Sequence, residues 1–496
     1  MESFSSFFLT KKFPSRSALR TILRAPLTAL GVTVYGIFFA LCAAIFITIV
    51  VFNNRFLVTV PARGGTLTEG VIGAPHFINP VLATTSTDKR LVALVYGSLL
   101  KLEPDNTLSP MLAKEYAVSP DGTVFTITML PNLRFDDGKP LTSADVAFTV
   151  QKLQNSTISR DAEYWQHIAV EAPDEATVVF TLPAPDTTFM SHLTFGILPE
   201  HIWKDIADES FATAKQNFKA VGAGPFKVSS VAYTNDVPDA VVLKRNTKYY
   251  AKPAMLKSVV LKSYANQNDL VDALNDKDVD FSYSVSPDGL AGAKLEQRLL
   301  VASIPTTQAV SIYRSSKDSV LANPGTVLQL SQLIDKNAII ATVQHGYGTP
   351  YGASANTIAS NSTSATTTRK LSIGGFSLAV EDDPSLLLAA QSIAQQLQQQ
   401  GITVSIRAYD PGVFQHYVSN GTFSLFLARS SDNMILSNYA AAIPLYTESL
   451  PYVFTTSTHT IIPDTLRTPL MEYSSVTDWY AHTDKLWKWL IAEDNN

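Results

Sequence analysis

The sequence predicts an α/β or mixed α+β body carried behind one hydrophobic helix. Three observations point there. A stretch near the N-terminus, Ala25 to Asn54, has no charged residue. Beyond it, short strands of alternating pattern interchange with capped helical segments. The 496 residues contain one cysteine, Cys42, which excludes a disulfide scaffold, a zinc ribbon, a CxxC redox site and a cysteine-held iron–sulfur cluster.

The first element is the apolar run Pro26–Phe52, 27 residues long, more than the ~20 that cross a bilayer as a helix. Lys11, Lys12, Arg16, Arg20 and Arg24 precede it and only Arg55 follows closely. The positive-inside rule makes 1–25 a cytoplasmic basic tail, 26–52 a single-pass transmembrane anchor in the cell membrane, and the rest extracellular or periplasmic. A cleaved signal peptide would have a shorter apolar core of about 7–15 residues. A lipoprotein signal would place a small residue before Cys42, where Leu41 stands. The reading favoured is an uncleaved anchor with Cys42 facing lipid or packing.

Charge divides at the anchor. Residues 1–54 carry a net +4 and residues 55–496 a net −9. A mildly acidic body has no electrostatic footprint for nucleic acid or for anionic lipid.

Residues 53–66, with Pro61, Gly64 and Gly65, read as a connector. Gly122–Pro131 alternates with period two and reads as a strand. A helix follows, capped at Thr142 or Ser143 with Asp145 behind it. Strands are expected at Ala176–Pro183, in AVVLKRN and KSVVLKSY, and in VDFSYSV after a short helix at Asn266–Asn275. Later come the helical segments Val327–Asp335 and KNAIIATVQHG, which stops at Gly346. Asp383, Pro384 and Gly401 mark the cap, first turn and stop of another helix, whose Leu386, Ala390, Ile393 and Leu397 form a core stripe. ITVSIRAY and FSLFLAR then read as strands, and Ser354–Thr368 as a solvated loop.

No GxSxG, HExxH, Walker A or GxGxxG motif occurs, and no two of the eight histidines have the spacing of a local ligand pair. Neighbouring acids such as Asp136-Asp137 suit turns and caps. The residues nominate no catalytic group, no metal site and no cofactor, so the protein reads as a non-enzyme.

The ordered set of segments resembles extracellular solute-binding protein family 5, the substrate-binding proteins of peptide, dipeptide and nickel ABC importers. It opens with HFINPVLATTSTDKRLVALVYGSLLKLEPDNTLSPMLAKEY, then SPDGTVFTITMLPNLRFDDGKPLTSADVAFTV. VEAPDEATVVFTLPAP, ILPEHIW, VGAGPFKV, VVLKRNTKYY, DLVDALNDKDVDFSYSVSP, LSQLIDKNAIIATVQHGYGTP, IAQQLQQQGITVSI and NGTFSLFLAR follow in family order, from about Val71 to Pro451. SPDGT and DDGKP supply turns, and Gly222 and Gly224 are expected to adopt backbone angles a side chain would resist.

The resemblance implies a two-lobed periplasmic-binding-protein-like type II fold, with hinged lobes and mixed sheets. Lobe I would hold about 60–304 and 452–496, and lobe II 305–451. After FLARSSDNM the family usually continues with a long stretch that is missing here, so lobe II is shortened beside the pocket. The implied role is a membrane-anchored receptor, monomeric, that captures a short peptide by lobe closure and delivers it to an ABC permease with its ATPase subunits. Related proteins take nickel complexes, haem or oligosaccharides; sensing or scavenging without import, and less so an ectoenzyme, are the alternative roles. By position in the family pattern, Asp432 is implied to take a ligand α-amine; Arg429, standing before it where the family's usual tryptophan is absent, is a candidate for a ligand carboxylate. Thr85, Ser86 and Thr87, within ATTSTD, either bond the ligand backbone or cap the next helix.

Overall fold

The structure, a computed structural model, describes residues 29–103, 107–155, 157–159, 161–315, 322–351, 375–430, 439–460 and 472–487. The chain divides into two compact units, one of Met1–Pro61 with Thr483–Asn496 and one of Ala62–His482. In the first unit, helix α1 covers Ala29–Phe56 and is followed at once by strand β1, Leu57–Pro61. Side chains of α1 are exposed on every side, so it has no core-facing stripe. Its Thr33–Asn53 is, among the described residues, the one helical segment long and apolar enough to cross a membrane.

The second unit opens with β2, Thr66–Ile72, and helix α2, Ser86–Val95. Thr85 and Asp88 form a reciprocal capping box at the start of α2. A four-stranded antiparallel sheet follows, in the order Ala113–Val118, Val124–Met129, Thr177–Thr181, Ala169–Asp174. The expected helix covers Ser143–Gln154, with Thr142 as its cap and Asp145 bonding back.

Strands β3 (Phe226–Thr234), β4 (Val237–Arg245) and β5 (Ser258–Tyr264) then build outward from β2. Helix α3 spans Gln267–Asn275, and β6 is only Phe281–Ser282, shorter than the sequence pattern suggested. Strand β7 runs Leu299–Ser315. Strands β8 (Phe376–Glu381), β9 (Val404–Tyr409) and β10 (Leu425–Arg429) surround helix α4, Pro384–Gln398, which Asp383 caps. Strand β11 runs Tyr439–Thr455, and β12, Thr483–Trp487, closes the described chain. β12 pairs antiparallel with β1, so within the segment read as a connector Leu57–Pro61 is strand, and helix α1 runs on to Phe56.

One eleven-stranded mixed sheet organises the second unit, in the order β9-β8-β10-β7-β11-β6-β2-β5-β4-β3, with Gly348–Pro350 added beside β11. β7 and β11 pair antiparallel from Leu299–Thr455 to Ser315–Tyr439 and run from one end of this sheet's centre to the other. Four core clusters lie along them, two of them small, around Leu299 with Val453 and around Tyr313. The largest includes Ile304 and Tyr452. The second largest includes Val310, Leu445 and Tyr446. The strand pair therefore passes from the largest core to the second largest between Ile304 and Val310.

Gly222 and Gly224 correct one expectation. Neither has a positive φ. A Cβ on Gly222 would lie 2.1 Å from the carbonyl oxygen of Val95, and one on Gly224 2.6 Å from the Val95 carbonyl carbon. These glycines are required because two backbones touch, not because of their torsion angles.

Candidate functional site

The β7–β11 pairing breaks where the cores change. Pro305 is opposite Ser449 and Ala309 opposite Thr447, so Thr306, Thr307 and Gln308 stand against Glu448 alone. Such a bulge frees backbone and side-chain groups from the ladder and redirects them. The Thr306 hydroxyl donates to the Glu448 carbonyl at 2.9 Å, which holds the bulge closed.

A cavity of about 460 Å³ lies against this bulge. The three bulged residues and Glu448 form one wall. Ser86 and Arg90 of α2, Ser284 and Ser286, and Glu472 form the other. A larger cavity of about 680 Å³ lies beside Tyr96, Tyr249 and Tyr250. Its lining comes from the first core's side alone, whereas the smaller cavity is bounded by both connecting strands at the junction of the cores. The smaller one is the candidate ligand site.

Two charge clusters border it, one buried and one half-buried. In the first, Arg90 reaches Glu472 with both arms of its fork, Nε to Oε2 at 2.5 Å and Nη2 to Oε1 at 2.9 Å. Its Nη1 donates to Ser284 Oγ at 2.6 Å. Glu69, on β2 and fully buried, lies behind, its Oε1 3.7 Å from Arg90 Nε. The Tyr473 hydroxyl donates to the other Glu69 oxygen. Burial and the Glu472 charge push the Glu69 carboxyl up to about 7, against the pull of Arg90 and the Tyr473 hydrogen bond.

The second cluster is built on Arg429 at the end of β10. Its Nε donates to Glu448 Oε1 at 2.9 Å and its Nη2 to Asp383 Oδ1 at 3.1 Å, and it also bonds Ser385. Burial would raise the Asp383 carboxyl. Hydrogen bonds from Arg429, Ser385 and the Leu386 N–H outweigh it and hold Asp383 at about 2. Glu448 Oε1 also accepts from Gln344. Among the described residues no hydrogen bond reaches Glu448 Oε2.

The residues nominated from sequence fall in different places. Ser86 lines the cavity. The Thr85 hydroxyl accepts from the Asp88 N–H as a helix cap. Thr87 is buried and donates to the carbonyls of Ile72 and Gly73. Arg429 is not in the wall; it grips Glu448, which is. Asp432 lies outside the described residues, as does the Ser354–Thr368 loop. Sequence reasoning missed Arg90, Glu448 and Glu472. Arg90 carried a usable signal, because it interrupts the buried face Thr87, Leu91, Leu94 of α2. A charge on an apolar stripe needs a buried partner.

Comparison with known proteins fits this geometry. The family model for bacterial extracellular solute-binding proteins, family 5 Middle, matches residues 107–371, more than half of the chain. The oligopeptide-binding protein AppA of Bacillus subtilis is 24% identical over 293 residues, 58% of this chain and 53% of its own length. The chain spans about half the length of the curated relatives it matches. The solved structure of AppA with a nonapeptide superposes with a TM-score of 0.56 at 17% identity, over 85% of this chain and all of its own. The ABC transporter substrate-binding protein CtaP of Listeria monocytogenes gives a TM-score of 0.65 at 21% identity, over 84% of this chain and 99% of its own. NikZ of Campylobacter jejuni, solved with Ni(L-His), gives 0.57 at 18%, over 84% and 99%. These likenesses share a two-lobed architecture of mixed α/β sheets. The chain belongs to the bacterial extracellular solute-binding proteins of family 5.

Proposed function

We propose that this protein is a membrane-anchored receptor that captures short peptides between its lobes and passes them to an ABC importer. Lobe I is formed by about 60–304 with the chain from 452, and lobe II by 305–451, with the β7–β11 bulge as the hinge. Helix α1 holds the receptor to the outer face of the membrane as a monomer. Ligand bridging the lobes shifts an open–closed equilibrium toward the closed form, which docks on the permease.

The observation that carries this reading is the chemistry of the cavity at the bulge. Hydroxyls of Ser86, Ser284, Ser286, Thr306 and Thr307 and the amide of Gln308 surround it. Such groups satisfy a peptide backbone without selecting its side chains. Glu448 takes the ligand α-amine through the oxygen that Arg429 leaves free, and Asp432 is the second candidate by its place in the family pattern. Arg90 is engaged by Glu472 and Ser284 and acts as a positioning residue.

Isothermal titration of the full chain in nanodiscs against a pool of short peptides tests the reading, with a nickel–histidine complex as comparison. Peptide heat is expected. Glu448→Gln and Asp432→Ala should each weaken binding roughly tenfold or more, the loss of one charge-assisted contact worth about 1.5–3 kcal/mol. Heat from the nickel complex alone would overturn the peptide assignment, and unchanged peptide affinity in both variants would overturn the amine site.

A further inference from the structure

No loop separates the membrane-crossing helix from the strand that follows it. Thr33–Asn53 has 21 residues and at ~1.5 Å each measures ~31 Å, the thickness of the hydrocarbon core. Helix α1 continues to Phe56, lifting the chain by roughly 4–5 Å more. The headgroup zone adds only about 5–7 Å on each side of the bilayer. Leu57, the first residue of β1, therefore falls inside that zone. Its register partner is Trp487, and Val58 is paired with Leu486. Val58 and Leu486 are 39% and 40% exposed, an apolar pair that no element covers among the described residues of this unit. Lys485, opposite Thr59, is one step farther out. Tryptophan at headgroup depth with lysine just outside it is the composition of the interfacial belt of membrane proteins.

We infer that the β1–β12 ribbon is a second membrane contact, seated in the phospholipid headgroup layer with its Leu57–Trp487 end deepest. The C-terminal strand is thereby a lipid-binding element, although it is more than 400 residues from the helix in sequence. The inference rests on the reading of α1 as an uncleaved anchor. Apolar and aromatic burial at the interface drives it, so it tolerates zwitterionic lipid and moderate salt.

Tryptophan depth measures it directly. The full chain carrying Trp489→Phe is reconstituted in phosphatidylcholine vesicles with nitroxide either near the headgroup or deep in the acyl chains. Trp165, Trp203 and Trp479 are 3%, 1% and 0% exposed and give a constant background. The headgroup nitroxide should remove up to about a quarter of the emission, the share of one tryptophan in four, and the deep nitroxide less. Adding Trp487→Phe should abolish that difference. A dye on Leu486→Cys, in a Cys42→Ser background, should report the same depth with every tryptophan intact. A chain that washes off the vesicles at alkaline pH overturns the anchor and this inference together. A chain that stays while Trp487 and the Leu486→Cys dye ignore the headgroup nitroxide overturns this inference alone.

Discussion

Replacing Arg90 by methionine is the most exacting perturbation of the site's foundation. Arg90 is 4% exposed and contacts Glu472 at 2.5 and 2.9 Å and Ser284 at 2.6 Å, with Glu69 3.7 Å away. Methionine fills much of the volume but leaves two buried carboxylates with no cation. Breaking a buried pair in this way costs about 3–5 kcal/mol. The large unit has roughly 420 residues, and at ~2.1 cal/mol/K per residue its unfolding entropy is near 0.9 kcal/mol/K. The expected drop in melting temperature is therefore about 3–6 °C. The loss should also depend on pH. Without Arg90 the Glu69 carboxyl, already raised to about 7, is driven higher, so the folded variant holds a proton that the unfolded chain releases. Its stability then rises as pH falls from 8 to 5, and the gap to the parent narrows. Calorimetry at both pH values reads this. A drop below about 1 °C, or one equal at both pH values, would refute the idea that Arg90 neutralises the buried acids.

Three further outcomes are expected. In the parent protein Glu69 takes up a proton on folding between its ordinary value of 4.5 and about 7, so its contribution to stability declines as pH rises through that window. Glu69→Gln should flatten that part of the urea-midpoint profile, and an unaltered slope would count against the assignment. Asp383 is depressed to about 2, so its contribution is complete above its ordinary value of 3.8 and disappears as pH falls toward 2. Asp383→Asn keeps a capping side chain but should remove part of the acid limb of the curve; an identical acid limb would exclude the pair with Arg429 as its source. Gly222→Ala forces a methyl against the Val95 carbonyl and should cost about 1–3 kcal/mol in urea unfolding, with an unchanged midpoint contradicting the close approach.

Much of the scaffold was legible because its signals are local. The Thr142 and Asp383 caps, the stop at Gly401 with its φ of +79° and the turn at Gly122 all act within a few residues. The strands Val124–Met129 and Thr177–Thr181 alternate between core and surface and could be read from period alone. The two seventeen-residue strands β7 and β11 were not read as such. Pro305, Pro444 and Pro451 interrupt their patterns, and proline inside a run argues against a strand. The structure accommodates Pro305 at the edge of the bulge, and pairs Ser311 with Pro444 at a second register shift. A signal that marks a break in local reasoning here marks the bulge between the two largest cores.

The candidate site was less legible for a related reason. Family motifs such as GAGPF and SPDGT hold backbones together, and their residues are consumed by the scaffold. Thr85 and Thr87 show the same economy, since each hydroxyl already has a partner within the fold. The groups left facing the cavity come from positions far apart in sequence, Ser86 and Arg90 on a helix, Ser284 and Ser286 after a two-residue strand, and Glu448 and Glu472 beyond the second core. No spacing rule links them. What links them is that the bulge at Thr306–Gln308 removes three residues from the ladder at the point where two cores meet. Taken out of the ladder, the Thr306 hydroxyl turns to the Glu448 carbonyl and accepts from the Gln308 N–H, while the Gln308 side chain is exposed. Under the proposed function, a ligand rich in backbone donors and acceptors pairs with such groups, and the same break in pairing is the proposed hinge.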